Sequence, residues 1–369
     1  MATESIECDV VVIGGGPSGA TAARRLAQSG KDVVLVEKDL HFHKPCGGGL
    51  ILSAFDEFDL PKELIKKEVN SIKIVSPTQN EANVSIDEYP LTIVNRVEFD
   101  AKLRGLAVDA GAKLIEGRSY DIETADGVSV KIKTDNQVLS IKANYLIAAD
   151  GVNSTIRRVL RDEKPSRILT QYVDISGEQS DSCQFWFGRD IAPGYYAWIF
   201  PHHDGLNAGL CVKDEKNIKK YMQSFLNKAG LEIGTGRIKG YFIPDWGREV
   251  YYDRSVFFVG DSASMVAPFT YEGIYYAMRS GLLAAEAIIA DDPLQYEQRF
   301  KEQYRKKFKF LQFLQRVFLS NDWLSEKMVK FYQNRNFQKG VIGYWSGRKK
   351  PVSAPAALWK IFKTLVRFR

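Results

Sequence analysis

The stretch Asp9–Gly19, DVVVIGGGPSG, constrains the fold of this chain more than any other. Asp9 to Ile13 is a short, β-branched apolar run, the pattern of a strand buried in a parallel sheet. Gly14, Gly16 and Gly19 complete a GxGxxG pattern directly after it. Pro17 and Ser18 lie within the pattern, Ala20 to Gln28 then has helix-forming composition and stops at Gly30, and Lys31 to Val36 forms a second strand ending in Glu37. Gly14 permits the tight turn, Gly16 lets the backbone approach a pyrophosphate, and Gly19 lets the helix pack on the strand. The free N–H groups and positive dipole end of the helix then favour phosphate.

A glycine pattern alone is weak evidence. Here it lies between a strand and a helix, and Glu37 follows Gly14 by 23 residues, close to the roughly 20 of a dinucleotide fingerprint. Glu37, with Lys38 beside it, can accept from both ribose hydroxyls and would repel a 2′-phosphate. The site therefore suits FAD or NAD, not NADP.

Three later segments favour FAD. NRVEFD places Arg96 at a helix start, where a guanidinium can grip a phosphate with two hydrogen bonds. Tyr145 to Ser154 reads as an apolar strand ending in Asp150-Gly151, with Ser154 capping the next helix. Val256 to Ala263 is another apolar strand, ending in Gly260-Asp261, and a long helix follows from Gly273-Ile274 to about Ala290. Asp261 can accept from ribityl hydroxyls. The helix start at Gly273 and Ile274 can face the negative charge that develops on a reduced flavin.

Composition narrows the remaining classes. The chain has 369 residues, 45% of them apolar, and a formal net charge of +6, which is enough core for one large or two smaller domains and too diffuse a charge to imply nucleic acid. Cys8, Cys46, Cys183 and Cys211 form no CxxC pair, and His41, His43, His202 and His203 form no HExxH, so no metal and no disulfide framework is expected. MATESIECD is polar and does not read as a signal peptide, and no run of about 20 apolar residues reads as a membrane span.

Taken together, VVIGGGPSGA, the Arg96 segment, ADGVNSTIRR and FVGDSA…EGI resemble the flavoprotein hydroxylase-like superfamily over roughly residues 7–290. The resemblance implies an α/β chain: one FAD on a discontinuous Rossmann-type domain, an interleaved antiparallel β-sheet substrate domain, and C-terminal helices. The FAD-binding domain is expected at 1–70, 95–165 and 250–292, the substrate domain at 71–94 and 166–249, a helical region at 293–345, and a linker with a basic amphipathic tail at 346–369.

Two further stretches, KPCGGGL (Lys44–Leu50) and YAWIFP (Tyr196–Pro201), resemble the geranylgeranyl reductase family, whose FAD enzymes saturate isolated double bonds of isoprenoid chains. The resemblance makes Cys46 the candidate acid or pocket-shaping residue, with Gly47 and Gly48 bringing backbone close to the flavin's flat ring. Tyr196, Trp198 and Phe200 alternate along a strand and would share one sheet face, a wall suited to a polyprenyl lipid or quinone side chain. Periodicity alone would equally fit an aromatic core strand. Larger family members commonly carry T-G-E-G-I where this chain has Thr270-Tyr271-Glu272-Gly273-Ile274, which puts Tyr271 at the expected pocket edge. No second dinucleotide unit is present, so NAD(P)H or a ferredoxin-like donor would act transiently. The competing readings are a monooxygenase or halogenase of the same fold, and a flavin-containing membrane-associated protein without turnover.

Residues 293–339 read as charged, aromatic-rich helices with an apolar stripe at Phe308, Leu311, Phe313, Leu314, Val317 and Phe318. Leu358, Ile361, Phe362 and Leu365 then follow helical spacing among cations, the pattern of an interfacial helix on anionic lipid. A cytoplasmic protein, peripheral on the inner face of the membrane, is the expectation.

Overall fold

In a computed structural model the described residues are 4–42, 44–124, 127–202 and 204–339. They divide into two compact units, one drawn from Met1–Lys44, Arg96–Ile168 and Phe242–Arg305, the other from Pro45–Asn95, Leu169–Tyr241 and Lys306–Arg369. The α/β class with a discontinuous dinucleotide domain is the one expected. The boundaries differ most at Lys44 and after Arg305, and residues 242–249 and 293–305 also fall in the first unit. The first unit releases the chain at Lys44, not near residue 70, because Gly49–Ile51 and Ile65–Val69 both pair with Leu91–Val94 in a small sheet of the second unit. The helices after Arg305 belong to the second unit too. Glu326 there accepts from the Thr78 hydroxyl (2.8 Å) and the Asn80 amide (2.7 Å), and Asp322 accepts from the Arg189 N–H (2.8 Å). Phe308, Leu311 and Phe318 of the apolar stripe are buried, whereas Phe313 is exposed.

The first unit is built on five parallel strands in the order Val256–Phe258, Val138–Ala148, Glu4–Ile13, Val33–Glu37 and Lys113–Glu116. Tyr252–Asp253 adds an antiparallel edge, and Val128–Lys133 with Arg118–Glu123 extends the first half of Val138–Ala148 as an antiparallel ribbon. Val10, Val11, Val12, Val33 and Leu35 are fully buried, as the unbroken β-branched runs require of strands covered on both faces. Register places Val36, Ile13, Ala148 and Phe258 in one row across the sheet. Each of those residues lies at the end of an apolar run or one residue before it, so the motifs that follow emerge together at the carboxyl edge, where open α/β sheets bind ligands.

The helix Pro17–Gln28 crosses Ile274–Ile289 with almost no gap. A Cβ on Gly281 would stand 2.1 Å from the Ser18 carbonyl oxygen, and one on Gly260 would stand 2.7 Å from Ser18 Oγ. The segment after Val256–Phe258 is held by Arg157, a fully buried side chain whose guanidinium donates to the Ser262 carbonyl (3.0 Å), Ser264 Oγ (3.1 Å) and Glu163 Oε2 (3.3 Å). Burial lowers its pKa, yet arginine stays charged, so each bond is charge-assisted and contributes about 1.5–3 kcal/mol.

The second unit carries a seven-stranded sheet ordered Lys239–Pro244, Arg167–Ser176, Gly205–Val212, Ala197–His202, Cys183–Trp186, Ser71–Val75 and Glu81–Ser85. It is not antiparallel throughout: Cys183–Trp186 runs parallel to Ser71–Val75, because the long excursion between them brings the chain back in the same direction. Trp186 packs edge-on against Phe225 of the helix Ile218–Ala229, which covers one face of the sheet. No helix among the described residues is long and apolar enough to cross a membrane.

Candidate active site

At the carboxyl edge of the first unit, the three fingerprint glycines divide their work. A Cβ on Gly14 (φ +108°) would meet the Ala149 carbonyl at 2.2 Å, and one on Gly19 would meet the Gly14 carbonyl at 1.9 Å. These two close the turn and the helix–strand contact. A Cβ on Gly16 would meet nothing within 4 Å, so this glycine leaves open the space at the start of the helix Pro17–Gln28. That is what a pyrophosphate would need. Glu37 is buried, and its Oε2 accepts from Gly15 N–H (2.6 Å) while Oε1 accepts from Lys38 N–H (2.9 Å) and Asp39 N–H (3.3 Å). A carboxylate offers about four acceptor positions, so room remains for roughly one hydroxyl, not both.

The other acids of this edge are also engaged. Asp150 Oδ2 caps the helix Thr155–Arg161 by accepting from Thr155 N–H (2.8 Å) and Ile156 N–H (3.2 Å), and Ser154 Oγ accepts from Arg157 N–H (2.9 Å). Asp150 Oδ1 is buried and accepts no hydrogen bond from the described residues. Gly151 follows with φ +79°. Asp261 lies in the short turn Gly260–Ala263 and pairs with the Lys44 ammonium. Gly273 caps Ile274–Ile289, whose first turn holds no acid, and a Cβ there would meet Val266 at 3.9 Å and the Tyr271 carbonyl at 4.0 Å, ordinary contact distances.

One expectation is narrowed. The two-pronged face of Arg96 is taken by Asp100, with Nε to Oδ1 at 3.0 Å and Nη2 to Oδ2 at 2.7 Å. The i,i+4 spacing on the helix Arg96–Asp109 brings that carboxylate alongside, so the Nε–Nη2 edge of Arg96 is held by Asp100. Arg104, two turns on, was not legible as a site residue. It is buried, donates to the Leu40 carbonyl (2.8 Å) and the Gly15 carbonyl (3.4 Å), and its Cδ would lie 2.8 Å from a Cβ on Gly15. Lys44 is likewise absent from the local motifs; these partnerships join residues 64 to 217 positions apart and leave no local pattern. Tyr271 adopts φ +51°, the region that favours glycine, and its hydroxyl lies 3.4 Å from Asp245 Oδ1.

Burial pushes the Asp150 carboxyl above its ordinary 3.8, against the opposing pull of hydrogen bonds from Ser154, Ile156 and Thr155. The folded protein therefore holds this proton more tightly than the unfolded chain, and stability falls as pH rises from 3.8 through the raised value. Asp150→Asn keeps an oxygen for the cap and removes the titration. Denaturant midpoints are expected to show the wild type gaining on this variant when pH is lowered from about 7 to about 4.

In the second unit, the three glycines of KPCGGGL serve the sheet's aromatic face. A Cβ on Gly47 would stand 2.7 Å from the Phe200 ring and one on Gly49 3.2 Å from it, while Gly48 (φ +73°) would bring its Cβ to 2.4 Å from the Val94 carbonyl. Within this unit the flat ring that Gly47 and Gly49 admit is that of Phe200. Cys46 is exposed, and its Sγ accepts from Gly48 N–H at 3.4 Å.

The expected alternation is present. Tyr196 lies 6.5 Å from Trp198, and Phe185, paired across the strands with Trp198, touches both Tyr196 (5.2 Å) and Phe200 (5.4 Å) edge-on. Tyr172 joins the same face through Gly209, its register partner and that of Trp198. Burial raises the Tyr172 phenol, with Asp174 and Cys46 adding to it, and burial raises Tyr196, with Cys211 and Cys46 adding. Both phenols remain protonated at neutral pH, within electrostatic reach of the Cys46 sulfur. Sequence periodicity found Tyr196, Trp198 and Phe200; it missed Tyr172 and Phe185, which only strand pairing brings beside them.

A model of the FAD binding domain family matches residues 7–290. Among curated relatives, geranylgeranyl diphosphate reductase of Synechocystis is 30% identical, over 89% of this chain and 90% of its own. The chain belongs to the geranylgeranyl reductase family of FAD-binding proteins. Digeranylgeranylglycerophospholipid reductase of Methanocaldococcus jannaschii is 30% identical over 80% of this chain and 83% of its own. The crystal structure of a geranylgeranyl bacteriochlorophyll reductase-like protein from Thermoplasma acidophilum superposes with a TM-score of 0.81 at 25% identity, covering 92% of this chain and 96% of that one. This family member is an FAD-dependent oxidoreductase. The open Gly16, the acceptor position left on Glu37 and the partnerless Asp150 Oδ1 fit the cofactor. Among its described residues no group of three or more His, Cys, Asp or Glu could hold a metal ion.

Proposed function

We propose that the chain reduces isolated C=C bonds of a polyprenyl lipid or of a quinone's prenyl side chain. The observation that carries this reading is the aromatic face of the second unit, where Tyr196, Trp198, Phe200 and Phe185 line up beside an exposed thiol. When bound and reduced, FAD supplies a hydride from N5 to one alkene carbon. The aromatic face holds the chain by apolar contact and excludes water. The Cys46 thiol donates the proton to the second carbon, and Gly48 N–H steadies the sulfur that remains. Tyr271, Gly14, Gly16, Pro17, Ser18, Gly19, Glu37, Lys38, Asp150, Gly151, Gly260, Asp261, Gly273 and Ile274 serve cofactor binding and the pocket edge.

Electrons come from NAD(P)H bound transiently or from a ferredoxin-like donor. The protein works in the cytoplasm, peripheral on the inner membrane face through the cationic segment 355–369, which lies outside the described residues together with His43 and His203. The test is anaerobic: reduce the flavin, then follow its reoxidation against geranylgeranyl lipids and prenyl quinones. Rapid reoxidation by one class with a saturated product supports the reading. Oxygen-dependent hydroxylation or halogenation would replace it with the monooxygenase reading, and tight FAD with no oxidant accepted would replace it with a non-catalytic one.

A further inference from the structure

On the aromatic face, Asn207 is the polar side chain that reaches the Trp198 indole. Asn207 is 1% exposed on the strand Gly205–Val212, flanked in register by Phe200 and Asp174. Its Oδ1 accepts from the Trp198 indole N–H at 2.8 Å, and its Nδ2 donates to Asp174 Oδ1 at 2.8 Å. The chemistry of the partners forces this orientation, because an indole N–H only donates and a carboxylate only accepts. At the outer end, Asp174 Oδ2 accepts from the Lys239 ammonium at 3.3 Å. Beneath the indole lies Gly209, where a Cβ would stand 2.4 Å from Trp198 Cζ2. The indole is therefore laid on bare backbone and pinned at its nitrogen by a relay that begins at an exposed ion pair.

We propose that Asn207, backed by Asp174, is a positioning residue that fixes the Trp198 indole and thereby sets the length of prenyl chain the aromatic face accepts. The proposal rests on the prenyl-reducing reading above. Without the amide acceptor, the indole N–H has no partner and the ring leaves its seat over Gly209, changing the depth of the apolar wall while leaving the reacting groups in place. Such a change alters KM and chain-length preference more than kcat.

The experiment is a double-mutant cycle on the FAD-loaded protein, using Asn207→Leu, Trp198→Phe and the pair, with prenyl substrates of two to four isoprene units. Asn207→Leu is expected to change the ratio of kcat/KM between the longest and shortest substrates by about tenfold, about one hydrophobic-group step, while kcat moves less than about threefold. In the Trp198→Phe background, which has no ring N–H, the same substitution should have no further effect. Equal shifts in both backgrounds, or none in either, would overturn the proposal. Asp174→Ala, at a partly exposed position, keeps the test available if Asn207→Leu does not fold, and should shift the ratio in the same direction by a smaller factor. Near-ultraviolet circular dichroism gives a readout that needs no turnover: Asn207→Leu should remove a tryptophan band that Trp198→Phe also removes. If no prenyl compound reoxidises the flavin, the function fails, whereas an unchanged band shows that the relay itself is wrong.

Discussion

Cys46→Ala is expected to slow reoxidation of the reduced flavin by its prenyl substrate by about 10²–10⁴-fold, the range for loss of one positioned acid, while FAD content and the unfolding midpoint stay unchanged. An isolated alkene accepts hydride poorly, so the rate depends on a proton reaching the second carbon as the first is attacked. Cys46 has the exposure for that role, and its sulfur is held by Gly48 N–H rather than packed in the core. Burial is the leading cause that pushes the Cys8 and Cys183 thiols up to about 12, which keeps them protonated and inert. Cys46→Ser should not restore the rate, because a hydroxyl is far weaker as an acid. Stopped-flow reoxidation under anaerobic conditions reads the effect directly, and a Cys46→Ala protein with full rate would remove the thiol from the mechanism.

Gly281→Val is expected to destabilise the apoprotein by about 3 kcal/mol or more, whereas Gly16→Ala leaves apoprotein stability in place and weakens FAD binding by at least about tenfold, or about 1.4 kcal/mol. At Gly281 a side chain meets the Ser18 carbonyl at 2.1 Å, and backbone cannot swing aside as a flexible side chain can. The helices Pro17–Gln28 and Ile274–Ile289 would have to separate, and the first unit's core would open between them. At Gly16 a methyl enters space the protein itself does not fill. Thermal denaturation of the apoprotein and flavin-fluorescence titration separate the two: parallel losses of stability in both variants would mean that Gly16 is structural and not part of a phosphate cradle.

Much of the first unit could be read from the linear chain, because each cofactor motif there is local. A strand, its terminal glycine or acid, and the helix after it are neighbours in sequence, and the sheet's register then aligns their ends. Tyr271 shows how far a local pattern reaches. The family's glycine marks a backbone that wants positive φ, and the backbone at Tyr271 does take φ +51°, at a cost of order 1–3 kcal/mol for a non-glycine residue. Arg96 shows where it stops. The motif marks a helix start, but it does not show that Asp100 holds the Nε–Nη2 edge of the guanidinium.

The linear chain by itself determined the dinucleotide cradle, the FAD-binding family and the alternation of Tyr196, Trp198 and Phe200, since periodicity and spacing over a few residues encode them. Tertiary structure alone decided what the glycines of KPCGGGL touch, that Lys44 neutralises Asp261, that Gly281 carries the helix crossing, and that Asn207 pins Trp198. Those contacts join residues far apart in the chain, and their energy comes from close approach and hydrogen-bond geometry, neither of which leaves a repeating trace in sequence.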